Sequence, residues 1–422
     1  MTAPERESAS DRATRVAWRV TGFLAVAGAL NYADRAATSV VFPPLQADLH
    51  LSNVALGLLG ATFLWSYAVC SPFAGALADR LPRDRLVIWS LALWSFVTAL
   101  TGVATGLVML LILRVALGMA ESLFLPSAIA LLSDHHGTAT RGKAMSTLSV
   151  GLSVGMIAGG ASAGYLAQQY GWRSGFLVLG VVGAGIALVA RRYLTPGQPR
   201  ARTVAPSRPS VRVSLRYLAR VPTFHLLLTK TMLAGIGTWI FYNWMPLYFH
   251  EAFGLGLGAA GFAGTFMLSI WSMAGMAAGG WLSDRFAVRD PRHRVLFLAL
   301  SYFAATPFLL VFLGKPSLTA VSVALAMFSV LRGLGAANEN PALCDVVPPQ
   351  FRSTAVGFMN CLATAAGGAG VAVTGLLKGR FGLGMVFAGV SAAIFCAGFA
   401  LLLGYFFCMR RDVEKARAYA ES

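Results

Sequence analysis

The stretch Gly75-Ala-Leu-Ala-Asp79-Arg80-Leu-Pro-Arg83-Asp-Arg85 is a short charged segment between two long apolar blocks. The block after it, residues 87–103, is typical of the chain, which is 57% hydrophobic, only 12% charged and has a mean hydropathy of +0.67. Each block is long enough to cross a hydrocarbon core about 30 Å thick as a helix. The composition therefore predicts an integral membrane protein and excludes a soluble enzyme, a disulfide-stapled secreted module and a disordered regulator.

The hydropathy pattern predicts twelve membrane-spanning helices and no strands. Strands of membrane barrels alternate polar and apolar residues over about ten positions, and the blocks of this chain do not. The predicted spans are approximately 17–43, 53–78, 86–104, 107–132, 143–166, 174–192, 223–249, 258–282, 295–313, 317–343, 353–377 and 384–408.

The net charge of +17 arises from 34 basic and 17 acidic residues, and the positions of the basic residues show what the excess means. The loops after odd-numbered spans carry only Arg173, Lys315, Lys378 and Arg380, whereas the loops after even-numbered spans and the two termini hold most of the others. By the positive-inside rule, both termini and the even-numbered loops are cytoplasmic. The basic excess thus indicates topology in a cell inner membrane, with the lipid bilayer as partner and no nucleic acid.

A basic segment divides the chain into two halves. Between residues 191 and 222 lie eight arginines, five prolines and no acidic residue, a composition typical of a cytoplasmic linker beside an anionic leaflet. We therefore predict a cytoplasmic N-terminal segment at 1–16, a six-helix bundle at 17–192, the linker at 193–222, a second bundle at 223–408 and a cytoplasmic tail at 409–422.

The two halves repeat each other, as expected for a fold built from parallel repeats. After the second and eighth spans the same residue types recur at an offset of 205, and after the fourth and tenth at an offset of 211. The matched sets are Gly75, Asp79 and Arg80 with Gly280, Asp284 and Arg285, and Asp134, Arg141 and Ala144 with Asp345, Arg352 and Ala355.

The segment from Gly75 to Arg85 resembles the signature loop between the second and third helices of the major facilitator superfamily. The degenerate second copy at 280–285, the two six-span halves and the basic central loop extend that resemblance to nearly the whole chain. It implies two pseudo-symmetric six-helix bundles and transport by alternating access. Charge pairing at these helix ends would then gate the bundles, and we assign that role to Asp79, Arg80, Arg83, Asp284 and Arg285.

Charged residues inside the apolar spans are expensive to bury and therefore indicate function. They are Asp34 and Arg35 in the first span, Arg114 and Glu121 in the fourth, and Arg332 and Glu339 in the tenth. The seven-residue spacing places Arg114 and Glu121 on one helix face, roughly 10 Å apart along the axis, and we expect ionised Glu121 to hold Arg114. The repeat offset places Arg332 at the depth of Glu121 and makes Glu339 a weaker candidate nearer the cytoplasm.

Within the superfamily the chain most resembles the anion:cation symporter branch, whose members take up sugar acids and other organic anions with protons. The resemblance rests on residues 31–35, 65–67, 114–121, 171–173, 243–248 and 354–360. We predict substrate-binding roles for Asn31, Tyr32, Arg35, Tyr67, Arg114, Tyr242, Asn243, Trp244, Arg332 and Asn360. Arginines offer a carboxylate a bidentate fork, and buried carboxylates beside arginines can carry protons, so we assign proton coupling to Asp34 and Glu121.

Two alternatives stay open. Residues 67–75, with Arg114 and Glu121, also resemble spinster-like lysolipid transporters, which implies an exporter of an amphiphile. A transporter-like membrane sensor that binds a ligand without moving it is the third hypothesis.

Soluble-enzyme chemistry is not indicated by the motifs of the chain. Residues 160–164 fit the nucleophile-elbow pattern and 256–261 the dinucleotide fingerprint, but neither follows a strand. The glycines at 151, 155 and 159 instead predict close helix packing. The five cysteines have no metal or disulfide spacing, and the six histidines are predicted to be exposed loop residues. We expect a monomer without metal or cofactor that is not an enzyme.

Overall fold

The computed structural model describes residues 9–194, 210–287, 290 and 292–421, and these residues form helices without a strand. A 3₁₀ helix at Thr306–Leu313 and a π-helical turn at Gly404–Cys408 complete the elements. The α-helices are α1 (Ala9–Val40), α2 (Phe42–Leu49), α3 (Asn53–Arg80), α4 (Arg83–Thr101), α5 (Leu107–Ser122), α6 (Phe124–His135), α7 (Thr138–Tyr170), α8 (Trp172–Tyr193), α9 (Val211–Leu218), α10 (Pro222–Phe253), α11 (Leu257–Ala287), α12 (His293–Ala305), α13 (Leu318–Ala336), α14 (Glu339–Val346), α15 (Pro349–Leu403) and α16 (Met409–Glu421).

Ten of the described helical stretches are long and apolar enough to cross a membrane. The longest, residues 349–416, contains Gly382 in the left-handed region at φ 73°, a conformation natural to glycine, and this bend divides it into two crossings. Helix α1, with 32 residues, is also long enough, although Asp34, Arg35 and the arginines near its start lower its hydropathy. The all-α membrane fold is confirmed, and these helices are consistent with the twelve predicted crossings.

The helices pack as two similar six-span bundles, which we call the N bundle (α1–α8) and the C bundle (α10–α15). In the N bundle α1 packs on α7, α3 on α5 and α4 on α8. In the C bundle α10 packs on α15, α11 on α13 and α12 on α15. The bundles meet where α3 lies along α15, α7 along α11 and α1 along α10.

Glycines allow the helices of the N bundle to approach closely, as the sequence predicted. A Cβ atom at any of three positions of α7 would collide with the backbone of α1. The pairs are Gly151 with Ala25, Gly155 with Ala29, and Gly159 with Ala33.

The two bundles are in close contact at one face of the molecule. We call the face that carries α9 and residues 81–82 the linker face, and the face that carries α2 and residues 254–256 the far face. At the far face the backbone of α3 at Gly57 touches that of α15 at Gly375, and a Cβ at Gly164 would meet Leu257. Towards the linker face, Gly75 and Gly357 of the same helices have no described atom within 4 Å of a built Cβ. The close contact of α3 with α15 at the far face is thus not repeated at these two positions.

Two ion pairs at the linker face confirm the sequence repeat. Arg83 binds Asp134 in the N bundle, and Arg294 Nη1 lies 3.4 Å from Asp345 Oδ2 in the C bundle. Both partners of the second pair lie 211 residues after those of the first. Each pair lies within one bundle and joins the start of an odd-numbered crossing to the end of the even-numbered crossing that follows it.

The remaining residues predicted to gate the bundles are only partly described. Arg80 and Arg285 are exposed, and the Arg285 guanidinium lies 4.4 Å from the centre of the Trp281 ring. The side chains of Asp79 and Asp284 lie outside the described residues, as do the arginines of the linker between 195 and 209. Within the predicted linker the structure describes the helix α9.

Candidate functional site

A cavity of about 350 Å³ lies between the bundles and is lined mainly by the C bundle. Its polar wall consists largely of hydroxyl groups, with Trp239 as an aromatic surface and Arg332 and Glu339 as the charged groups. The lining residues are Tyr32, Ser153, Met156, Thr231, Ala234, Gly235, Thr238, Trp239, Tyr242, Ser269, Tyr302, Arg332, Ala336, Glu339 and Ala363.

Arg332 is a cation on the cavity wall whose hydrogen bonds among the described residues are to hydroxyl groups. Its guanidinium donates to Ser272 Oγ at 3.1 Å and to Thr238 Oγ1 at 3.5 Å. No carboxylate of the described residues forms an ion pair with it. Arg332 therefore lies on a cavity wall, and its role in binding substrate stays a prediction.

The sequence analysis missed Lys230, which is fully buried in α10. Its Nζ donates to Glu339 Oε2 at 2.7 Å and lies 5.1 Å from the centre of the Tyr302 ring, while the Thr231 hydroxyl donates to Glu339 Oε1. The sequence did offer a signal for this residue, because a lysine eight residues into an apolar span is costly to bury and therefore indicates function. Glu339, predicted as the weaker candidate, is therefore part of the cavity wall.

In the N bundle Glu121 binds Arg35, not Arg114. Arg35 Nε donates to Glu121 Oε2 at 2.8 Å, and the two side chains are 7% and 0% exposed. The guanidinium also lies 4.6 to 5.2 Å from the ring centres of Tyr32, Phe63 and Tyr67, a set of cation–π contacts. Because Tyr32 also lines the cavity, this closed pair lies directly behind the cavity wall.

The expected Arg114–Glu121 pairing is thus wrong for this conformation. Arg114 is 3% exposed, packs 5.8 Å from the centre of the Phe176 ring, and forms no ion pair with a described residue. Asp34 points away from Arg35, as its 100° offset on the helix requires, and accepts a hydrogen bond from Thr98 Oγ1 at 3.1 Å. Sequence spacing placed Arg114 and Glu121 on one face of a helix, but α1, packed alongside, brings a closer cation.

The other predicted substrate residues divide between the cavity and the bundle contacts. Tyr32 and Tyr242 line the cavity, Tyr67 stacks on Arg35, and Asn360 is exposed one turn from the lining residue Ala363. Asn31 is buried beside Glu121, and its Nδ2 has no hydrogen-bond partner among the described residues.

Asn243 and Trp244 lie in the contact between the bundles and not on the cavity. A Cβ at Gly60 would meet the Asn243 amide, and the ring of the fully buried Trp244 lies 5.4 Å from that of Phe42 in the N bundle. Within its own bundle, Trp244 donates from Nε1 to the Val371 carbonyl at 3.2 Å. The sequence indicates that both residues belong to one membrane-spanning helix, but it does not show how closely α3 and α15 approach each other. For that reason both were predicted to lie near the substrate. We therefore leave both out of the candidate site.

Of the six histidines, His50 and His225 are exposed as predicted, three are half-buried and one is buried. His136 is 1% exposed at the linker face, with Nε2 2.8 Å from Thr21 Oγ1 and Nδ1 3.1 Å from Thr140 Oγ1. It joins the starts of α1 and α7 to the end of α6. This contact is a packing feature of the N bundle and lies away from the cavity.

The cavity can hold an anion. Among the described residues no group of three or more His, Cys, Asp or Glu side chains is placed to hold a metal ion. The cavity presents Arg332, which forms no ion pair with a described residue, a row of hydroxyls, and the carboxylate of Glu339, which is paired with Lys230.

Known proteins resemble this chain over most of its length. It is 26% identical to the hexuronate transporter of Bacillus subtilis over 373 residues, covering 85% of this chain and 87% of that protein. It is 27% identical to an MFS-type efflux pump of Mycolicibacterium smegmatis over 385 residues, covering 90% and 89%.

A solved structure has the same fold. It is that of a bacterial homologue of the human lysosomal transporter Spinster, in an inward-facing and unoccupied conformation. The TM-score is 0.74 at 20% identity, over 95% of this chain and 98% of that one. The model of the major facilitator superfamily matches residues 24–371. With its two bundles, its repeated linker-face ion pairs and its central cavity, the chain belongs to the major facilitator superfamily.

Proposed function

We propose that the protein is a secondary active transporter that carries a small organic anion, a sugar acid or another carboxylate, together with protons by alternating access. It works in the cell inner membrane with both termini in the cytoplasm, so that the linker face is the cytoplasmic face. The arrangement described above is then the inward-open state.

The observation that carries this proposal is Arg332, a cation on the cavity wall without a carboxylate partner among the described residues. A guanidinium presents a planar fork of donors to a carboxylate and stays charged when partly buried. The surrounding hydroxyls of Thr231, Thr238, Tyr242 and Ser269 are suited to the hydroxyls of a sugar acid. The relative named as a hexuronate transporter supports the same substrate class.

Proton coupling is assigned to Glu121 and Asp34 of the N bundle. Glu121 neutralises Arg35 while it is ionised. Protonation of Glu121 would remove that counter-charge and release Arg35 towards Tyr32 and the cavity, so that proton binding and anion binding favour each other by linkage. Asp34 would act in the same way on Arg114, which has no ion-pair partner among the described residues.

An exporter of amphiphiles is the second candidate, favoured by the resemblance to the efflux pump. The two functions differ in ligand. A thermal-shift screen of the purified protein against sugar acids, simple carboxylates and lysolipids separates them, because a ligand that binds the folded state raises the apparent melting temperature. Stabilisation by sugar acids alone supports the symporter, and stabilisation by lysolipids alone overturns it.

A further inference from the structure

The ion pair between Lys230 and Glu339 has no role in the function proposed above. Its two partners are unequally free to move. The Lys230 side chain is 0% exposed, whereas that of Glu339 is 24% exposed and lies on the cavity wall. Glu339 can therefore turn into the cavity, but Lys230 stays buried and requires an anionic partner.

The uncharged neighbours of Lys230 cannot replace that partner. Tyr302, whose ring centre lies 5.1 Å from Nζ, carries no charge, and Thr231 directs its hydroxyl to Glu339. If Glu339 leaves, the buried ammonium loses its only described counter-ion. A carboxylate that arrives through the cavity would restore it.

Lys230 and Arg332 lie at the two ends of the part of the cavity wall that α10 forms. Thr231 contacts the Lys230–Glu339 pair, and Thr238 contacts Arg332. The two threonines are seven positions apart, which amounts to two helical turns, about 10 Å. The positions between them that line the cavity are Ala234 and Gly235, and the backbone of α15 at Ala363 approaches Gly235 closely.

We propose that Lys230 is a second anion subsite, occupied by Glu339 when the cavity is empty. Resting on the organic-anion function above, this identifies the substrate as an organic acid with two ionised groups. One group binds Arg332, and the other displaces Glu339 from Lys230. Arg332, Lys230 and ionised Glu339 together carry one net positive charge, and displacement of Glu339 moves its charge away from Lys230 without removing it.

Calorimetric titration of the purified protein with two probes of equal carbon number, glucarate and gluconate, tests this proposal. The wild-type protein is expected to bind the diacid at least tenfold more tightly than the monoacid. In Lys230→Met/Glu339→Gln, which removes the ion pair without changing the net charge, the ratio of the two Kd values should fall to about one. Glu339→Gln alone should tighten glucarate binding, because the internal competitor is gone.

The exposed residue Glu414 provides the matched control, and Glu414→Gln should leave both Kd values unchanged. Equal binding of the two probes by the wild-type protein, or an unchanged ratio in the double variant, would overturn the second subsite but not the anion function. If neither probe nor any other organic acid binds the wild-type protein, the proposed function fails and the subsite with it. Should the double variant not fold, unchanged glucarate binding by Glu339→Gln is sufficient to contradict the proposal.

Discussion

At the level of single residues, the proposed transport depends on cations whose anionic partners can be exchanged. Arg332 faces the cavity with hydroxyl partners, Arg35 is held by Glu121, and Lys230 is held by Glu339. Burying a charge without a partner is costly, so each of these side chains favours the arrival of an anion when its own partner is absent or protonated.

The first prediction concerns the geometry of Arg332. Arg332→Lys keeps the charge but loses the bidentate fork and the bonds to Ser272 and Thr238, so we expect the Kd for the organic anion to rise about tenfold. Isothermal titration measures it. Arg410→Lys, at a 78% exposed side chain, is the control. Equal affinity of Arg332→Lys and the wild-type protein would remove Arg332 from the site.

The second prediction concerns the proton carriers. Glu121→Gln and Asp34→Asn keep the side-chain shape but cannot ionise, so both variants should bind and exchange the anion across proteoliposomes yet lose accumulation driven by a pH gradient. Glu414→Gln should accumulate substrate like the wild-type protein. The assignment is contradicted if both Glu121→Gln and Asp34→Asn accumulate substrate undiminished.

Sequence reasoning found most of the charged residues because a charge inside an apolar span is conspicuous. It did not find which charges pair. Glu121 and Arg114 share one helix, and only the folded structure, which brings Arg35 of α1 to Glu121, shows that Arg35 is nearer. Lys230 was missed although the same rule applied to it. Trp244 lies outside the candidate site because of contacts between the bundles, and the spacing of residues within one helix does not reveal such contacts.

At the scale of elements, the predicted spans agree with the helices, but the local interruptions do not follow from hydropathy. The fourth crossing is divided at Leu123 into α5 and α6, and the ninth ends in a 3₁₀ helix. The glycine spacing of α7 was informative because small residues at every fourth position share one face. The sequence predicted correctly that this face contacts another helix, but only the structure shows that the partner helix is α1.

The third prediction tests this contact. A methyl group at Gly155 would collide with the backbone of Ala29, so Gly155→Ala should force α1 and α7 apart and cost about 1 to 3 kcal/mol of stability. Gly142→Ala, in the same helix, adds its methyl group where no described atom lies within 4 Å, and should be neutral or stabilising. Thermal unfolding in detergent compares them, and equal melting temperatures would show that the contact tolerates a side chain.

The fourth prediction concerns α2 at the far face. Arg173 Nη1 and Trp172 Nε1 donate to Asp48 Oδ2 at 2.7 and 3.0 Å, and these bonds lower the pKa of Asp48 below its ordinary value of 3.8. Because the pKa is lower in the folded protein, the stabilisation is fully present above the unfolded-state pKa and is lost as the pH falls through the folded-state value.

The melting temperature of the wild-type protein should therefore exceed that of Asp48→Asn by a constant amount between pH 7 and 5. The difference should shrink only below about pH 4. A difference that disappears near pH 6 would show that another group controls the contact.

At the scale of the whole molecule, the structure is one arrangement of two similar bundles. The bundles touch at the far face, where Lys378 of the C bundle donates to Asn53 Oδ1 of the N bundle at 3.2 Å and to Glu251 Oε1 at 2.7 Å. At the linker face the described ion pairs lie within each bundle. The sequence repeat predicted the two-bundle fold, but which face is closed depends on packing across the bundles and is not encoded in one repeat.

The central claim is that this cavity carries an organic anion together with protons. The most direct test is uptake of a radiolabelled sugar acid, chosen by the thermal-shift screen, into proteoliposomes with an acidic exterior and a neutral interior. The account predicts accumulation above the external concentration, collapse of that gradient on addition of a protonophore, and no accumulation by Glu121→Gln. Uptake that only equilibrates the sugar acid, at the same rate with and without the pH gradient, would contradict it.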